Sequence, residues 1–326
     1  MKKAIVTGGA GFIGSHMVDL LIKKNYKVIV IDNFLGGHKK NLEHIPKNKI
    51  KIINQDIRYL DFRKKIFKNT KFLFHFAGIG DIVPSIEKPK IYADININGT
   101  INILELARFN KVKKVVYAAS SSCYGLAKIP TSEKHQIDTK YPYALSKYYG
   151  EQSCFHWNKV YKLKVDSVCI FNAYGPRVRT TGAYGAVFGV FLKQKLKNKP
   201  LTIVGNGKQK RDFVYVTDVA NAFYEVAKIK TSGERYNVGA GKPIEINKLA
   251  NILGGKKTYI PKRPGEPDCT YADITKILKN TNWYPKVSFE EGVALMLEDI
   301  NKWKDAPLWT KSKIKRATKS WFRFMK

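Results

Sequence analysis

Tyr143 and Lys147 stand four residues apart in the run Tyr143-Ala144-Leu145-Ser146-Lys147. On a helix that spacing puts both side chains on one face. A free phenol, with a pKa of about 10, is a weak base at neutral pH. A lysine cation on the same face favours the phenolate, and the pair becomes a usable acid/base. Ser120 ends an apolar run at 115–119 and is suited to hydrogen-bond a hydroxyl or carbonyl beside that tyrosine. Tyr and Lys at this spacing are also common on exposed helices, so the chemistry depends on the elements that would carry them.

Those elements begin at the first residues. Ala4-Ile5-Val6 is a short apolar run leading into Thr7-Gly8-Gly9-Ala10-Gly11-Phe12-Ile13-Gly14. Phe12, Ile13, Met17, Leu20 and Leu21 then recur at helical spacing, and a second apolar run, 27–31, ends at Asp32. Strand, glycine turn, helix, strand and terminal acid together form the dinucleotide-binding fingerprint. Gly8 permits the tight turn, Gly11 lets backbone approach a pyrophosphate, and Gly14 allows close helix–strand packing. The helix start supplies free N–H groups to phosphate. Asp32 is placed to accept hydrogen bonds from ribose hydroxyls and would repel a 2′-phosphate, which favours NAD over NADP; Lys39 and Lys40 nearby weigh the other way.

The alternation continues. Strands are expected at 50–53, 72–76, 115–119 and 165–171. A helix carries Ile91, Ile95, Ile101, Ile103, Leu104 and Leu106 and breaks near Asn110, and a further helix runs from about 143 to 161. This pattern predicts an α/β fold, a Rossmann-type doubly wound parallel sheet with ligands at the carboxyl ends of its strands. Past residue 172 the texture loosens, with Gly182, Gly185, Gly189, Gly205 and Gly207, then Pro261, Pro264 and Pro267. The expected division is a dinucleotide-binding domain at 1–171, to which about 208–232 returns. A smaller, discontinuous substrate-binding region takes about 172–207 and 233–305, and a basic tail takes 306–326.

Composition sets outer bounds. The chain has 326 residues, 59 Lys+Arg against 26 Asp+Glu and a formal net charge of +33. Hydrophobic residues at 44% exclude a disordered chain despite that charge. Arginine supplies only 10 of the basic residues and lysines are spread throughout, which favours a solvated basic surface over nucleic-acid binding. No zinc-finger spacing or RNP-like signature appears. Cys123, Cys154, Cys169 and Cys269 form no C-x-x-C pair, so no metal site or disulfide framework is expected, and reduced thiols suit a cytoplasmic protein. No apolar stretch approaches a membrane span, and the Met1-Lys2-Lys3 start does not read as a signal peptide.

With these residues in place the chain resembles the extended short-chain dehydrogenase/reductase superfamily, and within it the nucleotide-sugar 4-epimerases acting on UDP-glucose or UDP-N-acetylglucosamine. The resemblance spans roughly 1–300. It rests on T-G-G-A-G-F-I-G at 7–14, D-N at 32–33, H-F-A-G at 75–78, N-I-N-G-T at 96–100, S-S-S-C-Y-G at 120–125 and Y-A-L-S-K at 143–147. F-N-A-Y-G-P-R at 171–177, R-D-F-V-Y-V-T-D at 211–218 and R-P-G-E at 263–266 extend it.

The resemblance implies a tightly held NAD, a nucleoside-diphosphate sugar, a homodimer built on paired helices, and a role such as polysaccharide biosynthesis. By the same resemblance, Tyr143 takes the proton of the C4 hydroxyl while hydride passes to NAD; the 4-keto sugar turns over, and hydride returns to its other face. Lys147 also binds the nicotinamide ribose. Asn33, Asp56, Ile57, Ala77, Gly78 and Asn96 fall at cofactor positions. Ser120, Ser121, Ser122, Asn172, Arg211 and Arg263 fall at substrate positions, with Asn172 and the arginines on the diphosphate. Without the motifs, those arginines would read as surface ion pairs.

Sister reactions in the superfamily need more. Dehydratases usually follow the serine or threonine with Asp-Glu, and glucuronate decarboxylases carry a glutamate two places on. Here those places hold Ser121 and Ser122, which favours simple epimerisation. A reductase, dehydratase or decarboxylase remains the alternative enzyme, and a non-catalytic basic NAD-binding module the alternative of another class. The run at 175–184 departs from usual epimerase wording, which allows an unusual sugar. Thr270 aligns with the residue beside the sugar's C2 substituent, where a small side chain leaves room for an N-acetyl group. The tail also departs from the family: Ile314, Ala317, Trp321, Phe322 and Met325 recur at helical spacing among basic residues. Such a stretch suits packing on its own chain or a partner subunit, and less favourably an anionic membrane.

Overall fold

The computed structural model describes residues 1–61, 65–178 and 187–325. Gly182, Gly185 and the later part of the run at 175–184 lie outside the described residues. The first half alternates as the pattern predicts. β1 (Lys2–Thr7), α1 (Phe12–Lys23), β2 (Tyr26–Asp32), β3 (Ile50–Asn54) and β4 (Thr70–His75) come first. Next are α2 (Ile82–Glu87), α3 (Pro89–Ala93), α4 (Gly99–Phe109), β5 (Lys114–Ser120), α5 (Pro142–Tyr161) and β6 (Val165–Ile170). Ala4, Ile5 and Val6 are fully buried, as a parallel strand covered by helices on both faces requires. The helix expected around 91–106 is interrupted by a wider π turn at Asp94–Asn98, an irregularity that often marks a functional site.

The second half is β7 (Asn172–Tyr174), α6 (Val187–Leu196), β8 (Leu201–Val204), β9 (Lys210–Tyr215), α7 (Val216–Lys228) and β10 (Arg235–Val238). After these come β11 (Pro243–Glu245), α8 (Ile246–Leu253), β12 (Lys257–Ile260), α9 (Thr275–Asn280), α10 (Phe289–Glu298), α11 (Lys311–Ala317) and α12 (Lys319–Phe324). The main sheet has seven parallel strands in the order β10-β6-β5-β4-β1-β2-β3. Strand order reverses between β1 and β4, the crevice where doubly wound sheets bind ligands.

The return to this sheet differs from the expected 208–232. β9 pairs with β7 and β11 in a separate three-stranded sheet, whereas α7 packs on α1 and β10 completes the large sheet beside β6. The returning segment is therefore α7 through β10. β10 is short and opens on Arg235, so it lacks the apolar run that announces the other strands. Its arginine has a structural use: it pairs with Glu151 of α5, which is 1% exposed and also accepts a 2.5 Å hydrogen bond from Ser167 of β6. Lys114 of β5 and Asp166 of β6 form a second buried pair at 2.5 Å. The smaller lobe has its own core, in which Tyr174 stacks on Phe188 at 4.6 Å and Phe213 on Phe289 at 5.4 Å.

Candidate active site

The glycine turn between β1 and α1 forms one wall of a cleft of about 360 Å³ at the sheet's switch point. Gly8 has φ +67°, a region that L side chains rarely adopt, and a Cβ there would meet the Ala77 backbone at 2.7 Å. A Cβ at Gly14 would stand 2.1 Å from the Gly8 carbonyl oxygen. Gly11 precedes α1 with no side-chain cap, so the first-turn N–H groups are left for a ligand. Asp32 is buried, and its two carboxylate oxygens accept from the Ala10 and Phe34 amides at 2.9 and 2.8 Å. A carboxylate has further lone pairs, so Asp32 is held in place and still able to accept from ribose hydroxyls. Burial pushes its pKa up, and the two amides pull the other way.

Phe12, Ile13, Asn33, Asp56, Ile57, Ala77 and Gly78 also line this cleft. Asn33 donates to Asp56 at 2.9 Å, and Asp56 is clamped by Arg58, which draws its carboxyl below the usual range. A narrow glycine cradle, an uncapped helix start and an acid at the end of β2 fit a dinucleotide. Asn96 is placed differently from its expected contact with the cofactor. It is 1% exposed, and its amide accepts from Ile79 N–H and donates to Ile79 C=O and Ser146 Oγ. From the π turn it fixes the backbone after Gly78 and so shapes the cleft from behind.

Tyr143 is the second residue of α5, in its first turn, behind Pro142, which suits the first helical position. With Gly80 and Ile170 it lines both the dinucleotide cleft and a second cavity of about 350 Å³. Burial pushes the Tyr143 phenol up to about 12, opposed by a hydrogen bond with Ser120. Burial pushes the Lys147 ammonium down to about 8. Lys147 Nζ lies over the Tyr117 ring, 4.2 Å from its centroid, and lines the dinucleotide cleft. Burial and the Ser120 hydrogen bond therefore lead in setting the phenol's acidity, and the lowering by Lys147 expected from their spacing is not among the leading influences. Ser120 and Ser122 share a 2.8 Å hydrogen bond at the end of β5.

The second cavity brings together Ser120, Ser121, Ser122, Asn172, Arg211, Arg263 and Thr270 from four separate stretches of chain. Thr270 donates to Asn172 Oδ1 at 2.7 Å and accepts from the Asp212 amide at 3.2 Å, which fixes it in the wall. Arg211 and Arg263 are not lone cations. Both pair with Glu266, Arg211 at 2.7 Å and Arg263 at 2.8 Å. Arg211 also donates to the Pro267 carbonyl at 2.9 Å. Two guanidinium groups sharing one carboxylate leave net positive charge toward the cavity, in a geometry suited to a diphosphate.

Several lining residues escaped the sequence reading. Glu266 sits in the R-P-G-E run, and its i,i+3 spacing from Arg263 was the available signal. Tyr141 stacks beside Tyr143, ring centroids 6.4 Å apart and 6° from parallel. Trp321, from the tail, also lines the cavity, and no local pattern aims it there. The tail's Ile314 and Trp321 are buried against the chain itself, whereas Phe322 faces outward at 39% exposure, off the expected apolar stripe. Among the described residues no His, Cys, Asp and Glu cluster is placed to hold a metal. No helix there is long and apolar enough to cross a membrane.

The family described as GDP-mannose 4,6 dehydratase matches residues 5–296. A putative UDP-glucose 4-epimerase of Methanocaldococcus jannaschii is 39% identical over 298 residues, 89% of this chain and 95% of the relative. The UDP-N-acetylglucosamine 4-epimerase of Methanobrevibacter ruminantium, solved with UDP-N-acetylmuramic acid, superposes with TM-score 0.86 at 32% identity, over 91% of this chain and 99% of that one. The UDP-glucuronic acid 4-epimerase of Bacillus cereus, solved with UDP-glucuronic acid and NAD, gives TM-score 0.85 at 30% identity, over 92% and 99%.

Proposed function

Because the chain belongs to the GDP-mannose 4,6 dehydratase family of the extended short-chain dehydrogenase/reductases, in its nucleotide-sugar epimerase branch, we propose that it is an NAD-dependent 4-epimerase of a UDP-sugar. The observation that carries this reading is the position of Tyr143, at the junction of a dinucleotide cleft and a second cavity walled by paired arginines.

A UDP-sugar seated with its diphosphate at Arg211 and Arg263 directs its hexose toward Ser120 and Tyr143. The glycine turn, Asp32 and Lys147 would hold NAD, which would supply the hydride acceptor and donor for C4. Tyr143 takes the C4 hydroxyl proton and returns it to the C4 oxygen once the turned 4-keto sugar is reduced on its opposite face. Ser120 holds that oxygen, and Lys147 anchors the nicotinamide ribose and favours the phenolate. Ser121 and Ser122 offer no acid or base for elimination, which argues against a dehydratase, and no glutamate stands where decarboxylases carry one.

The test is to incubate the protein with UDP-, GDP-, CDP- and dTDP-sugars without added NAD and follow products by NMR. C4-inverted product from a UDP-sugar is expected. Accumulated NADH or a 6-deoxy-4-keto product would overturn the assignment. Thr270 as a small wall residue supports acceptance of 2-acetamido sugars; Thr270→Tyr is then expected to abolish turnover of UDP-N-acetylglucosamine while sparing UDP-glucose. Exposed Leu145 and Tyr149 on α5 and Phe109 on α4 support a dimer through that face, testable by light scattering. Four free cysteines support a cytoplasmic location, and a polysaccharide-building role follows from the substrate class.

A further inference from the structure

The family match ends at residue 296, and the tail beyond it has its own architecture. Thr310 caps α11 by accepting from the Lys313 amide at 3.3 Å, and Ile314 and Thr318 are buried beneath α11 and the turn into α12. α12 then lies between the two lobes. On one side Trp321 Nε1–H donates to the Pro264 carbonyl at 2.7 Å, in the loop that carries Arg263 and Glu266. On the other, Ser320 Oγ donates to Glu87 of α2 at 2.7 Å, and the Trp321 ring meets that of Tyr141 at 5.9 Å. Trp321 is 3% exposed, yet it lines the same cavity as Tyr143, Arg211 and Thr270. Its indole face also carries the Arg263 guanidinium, 5.4 Å from the ring.

We propose that Trp321 is a substrate-positioning residue of this enzyme and that the tail is a wall of its sugar-nucleotide pocket; the inference rests on the UDP-sugar reading above. Two features of the indole do this work. Its negative face holds the guanidinium already paired with Glu266, so the arginine fork is fixed before a diphosphate arrives. Its apolar bulk, reaching from Arg263 to Tyr141, closes the pocket between the diphosphate end and the catalytic phenol and keeps water from that gap. Because Tyr141 stacks beside Tyr143, the same ring also limits how far a bound hexose can shift sideways while it turns. The tail thus joins the two lobes through a residue that touches the substrate.

Initial rates and UDP titration calorimetry on Trp321→Ala, Trp321→Phe and a chain ending at Thr310 test this, with NAD content and melting temperature measured on each. KM for the UDP-sugar is expected to rise at least tenfold in Trp321→Ala and in the shortened chain, with kcat changed less than threefold. Trp321→Phe, which keeps an apolar ring and loses the bond to Pro264, is expected to recover part of the loss. Calorimetric Kd for UDP should rise in parallel with KM. If Trp321→Ala does not fold, the shortened chain carries its expectation and Trp321→Phe carries a smaller one, a KM raised at least threefold. A KM within twofold of the unmodified protein in any folded variant lacking the indole would overturn the proposal. A wild-type protein that neither binds nor converts any UDP-sugar would instead overturn the epimerase reading.

Discussion

Replacing Gly14 by alanine tests the link between the seat of α1 and dinucleotide binding. The added methyl would stand 2.1 Å from the Gly8 carbonyl oxygen, 2.9 Å from the Gly8 carbonyl carbon and 3.0 Å from Gly9 Cα. A carbon needs roughly 3.3 Å from a carbonyl oxygen, so the turn and the helix must part by about 1 Å. All three atoms are backbone, so no side chain can rotate away. Overpacking of this kind costs about 1–3 kcal/mol of stability, a fall of roughly 2–10 °C in melting temperature for a chain of this size. Opening the cradle also removes backbone N–H bonds to the pyrophosphate. Losing two charge-assisted bonds at about 1.5–3 kcal/mol each weakens NAD by roughly 10²- to 10⁴-fold. Gly11→Ala is the control. There φ is −77°, ordinary for alanine, and the only close atom is 3.1 Å away. It should lose NAD by filling the phosphate's place while melting within about 2 °C of the parent. The assay is NAD content after purification, by absorbance and chromatography, beside thermal denaturation. Gly14→Ala with full NAD occupancy would refute the reasoning, whatever its melting temperature.

Tyr143→Phe should cut kcat by about 10²- to 10⁴-fold and leave NAD bound; activity within tenfold of the parent would remove the phenol from the mechanism. Lys147 makes a pH-dependent prediction, since burial lowers its pKa from the ordinary 10.5 to about 8. Below about pH 8 the folded protein carries the full cost of the buried cation. From there to 10.5 the folded lysine is neutral while the unfolded one keeps its proton, so stability rises with pH. Lys147→Met should therefore be inactive yet more stable at pH 7, by about 3 kcal/mol, with the advantage shrinking toward pH 10; a pH-independent difference would contradict this. Arg235→Met leaves Glu151 buried without its cation and should cost about 3–5 kcal/mol in denaturant unfolding. The double variant with Glu151→Gln should recover most of that loss, and no recovery would mean the arginine acts mainly through packing.

The sheet was readable because parallel strands covered on both faces leave continuous apolar runs, and the runs at 27–31, 72–76 and 115–119 mark β2, β4 and β5 to within two residues at either end. The glycine turn was readable for another reason: few residue types tolerate the conformation and close approach found at Gly8 and Gly14. Tyr143 and Lys147 were readable from spacing within one helix. What stayed hidden depends on distant chain meeting. Glu266 reaches Arg211 across 55 positions, and nothing near either residue announces the pair. Asn96 fell within a recognisable motif, but only the π turn shows its amide spent on Ile79 and Ser146. β10 was hidden by its shortness and by an arginine used for burial rather than exposure. Trp321 looked like one apolar residue of an amphipathic tail, and its partners, Pro264 and Tyr141, lie 57 and 180 positions earlier.

The late arrival of β10 bears on how the chain is made. Arg235 pairs with Ser167, so the outer edge of β6 has no neighbour until some 68 further residues exist. At about 5–20 residues per second of synthesis, that interval lasts roughly 3–14 s. During it the nascent sheet presents an open strand edge, the usual template for wrong pairing with another chain. Asp166 sits on that edge strand and Lys114 on its inner neighbour. Charges on an unfinished edge discourage pairing with apolar strands, and once β10 arrives the two are sealed together. Asp166 thus places on the unfinished edge the kind of charged residue that discourages edge pairing, and it is buried against Lys114 once β10 is in place.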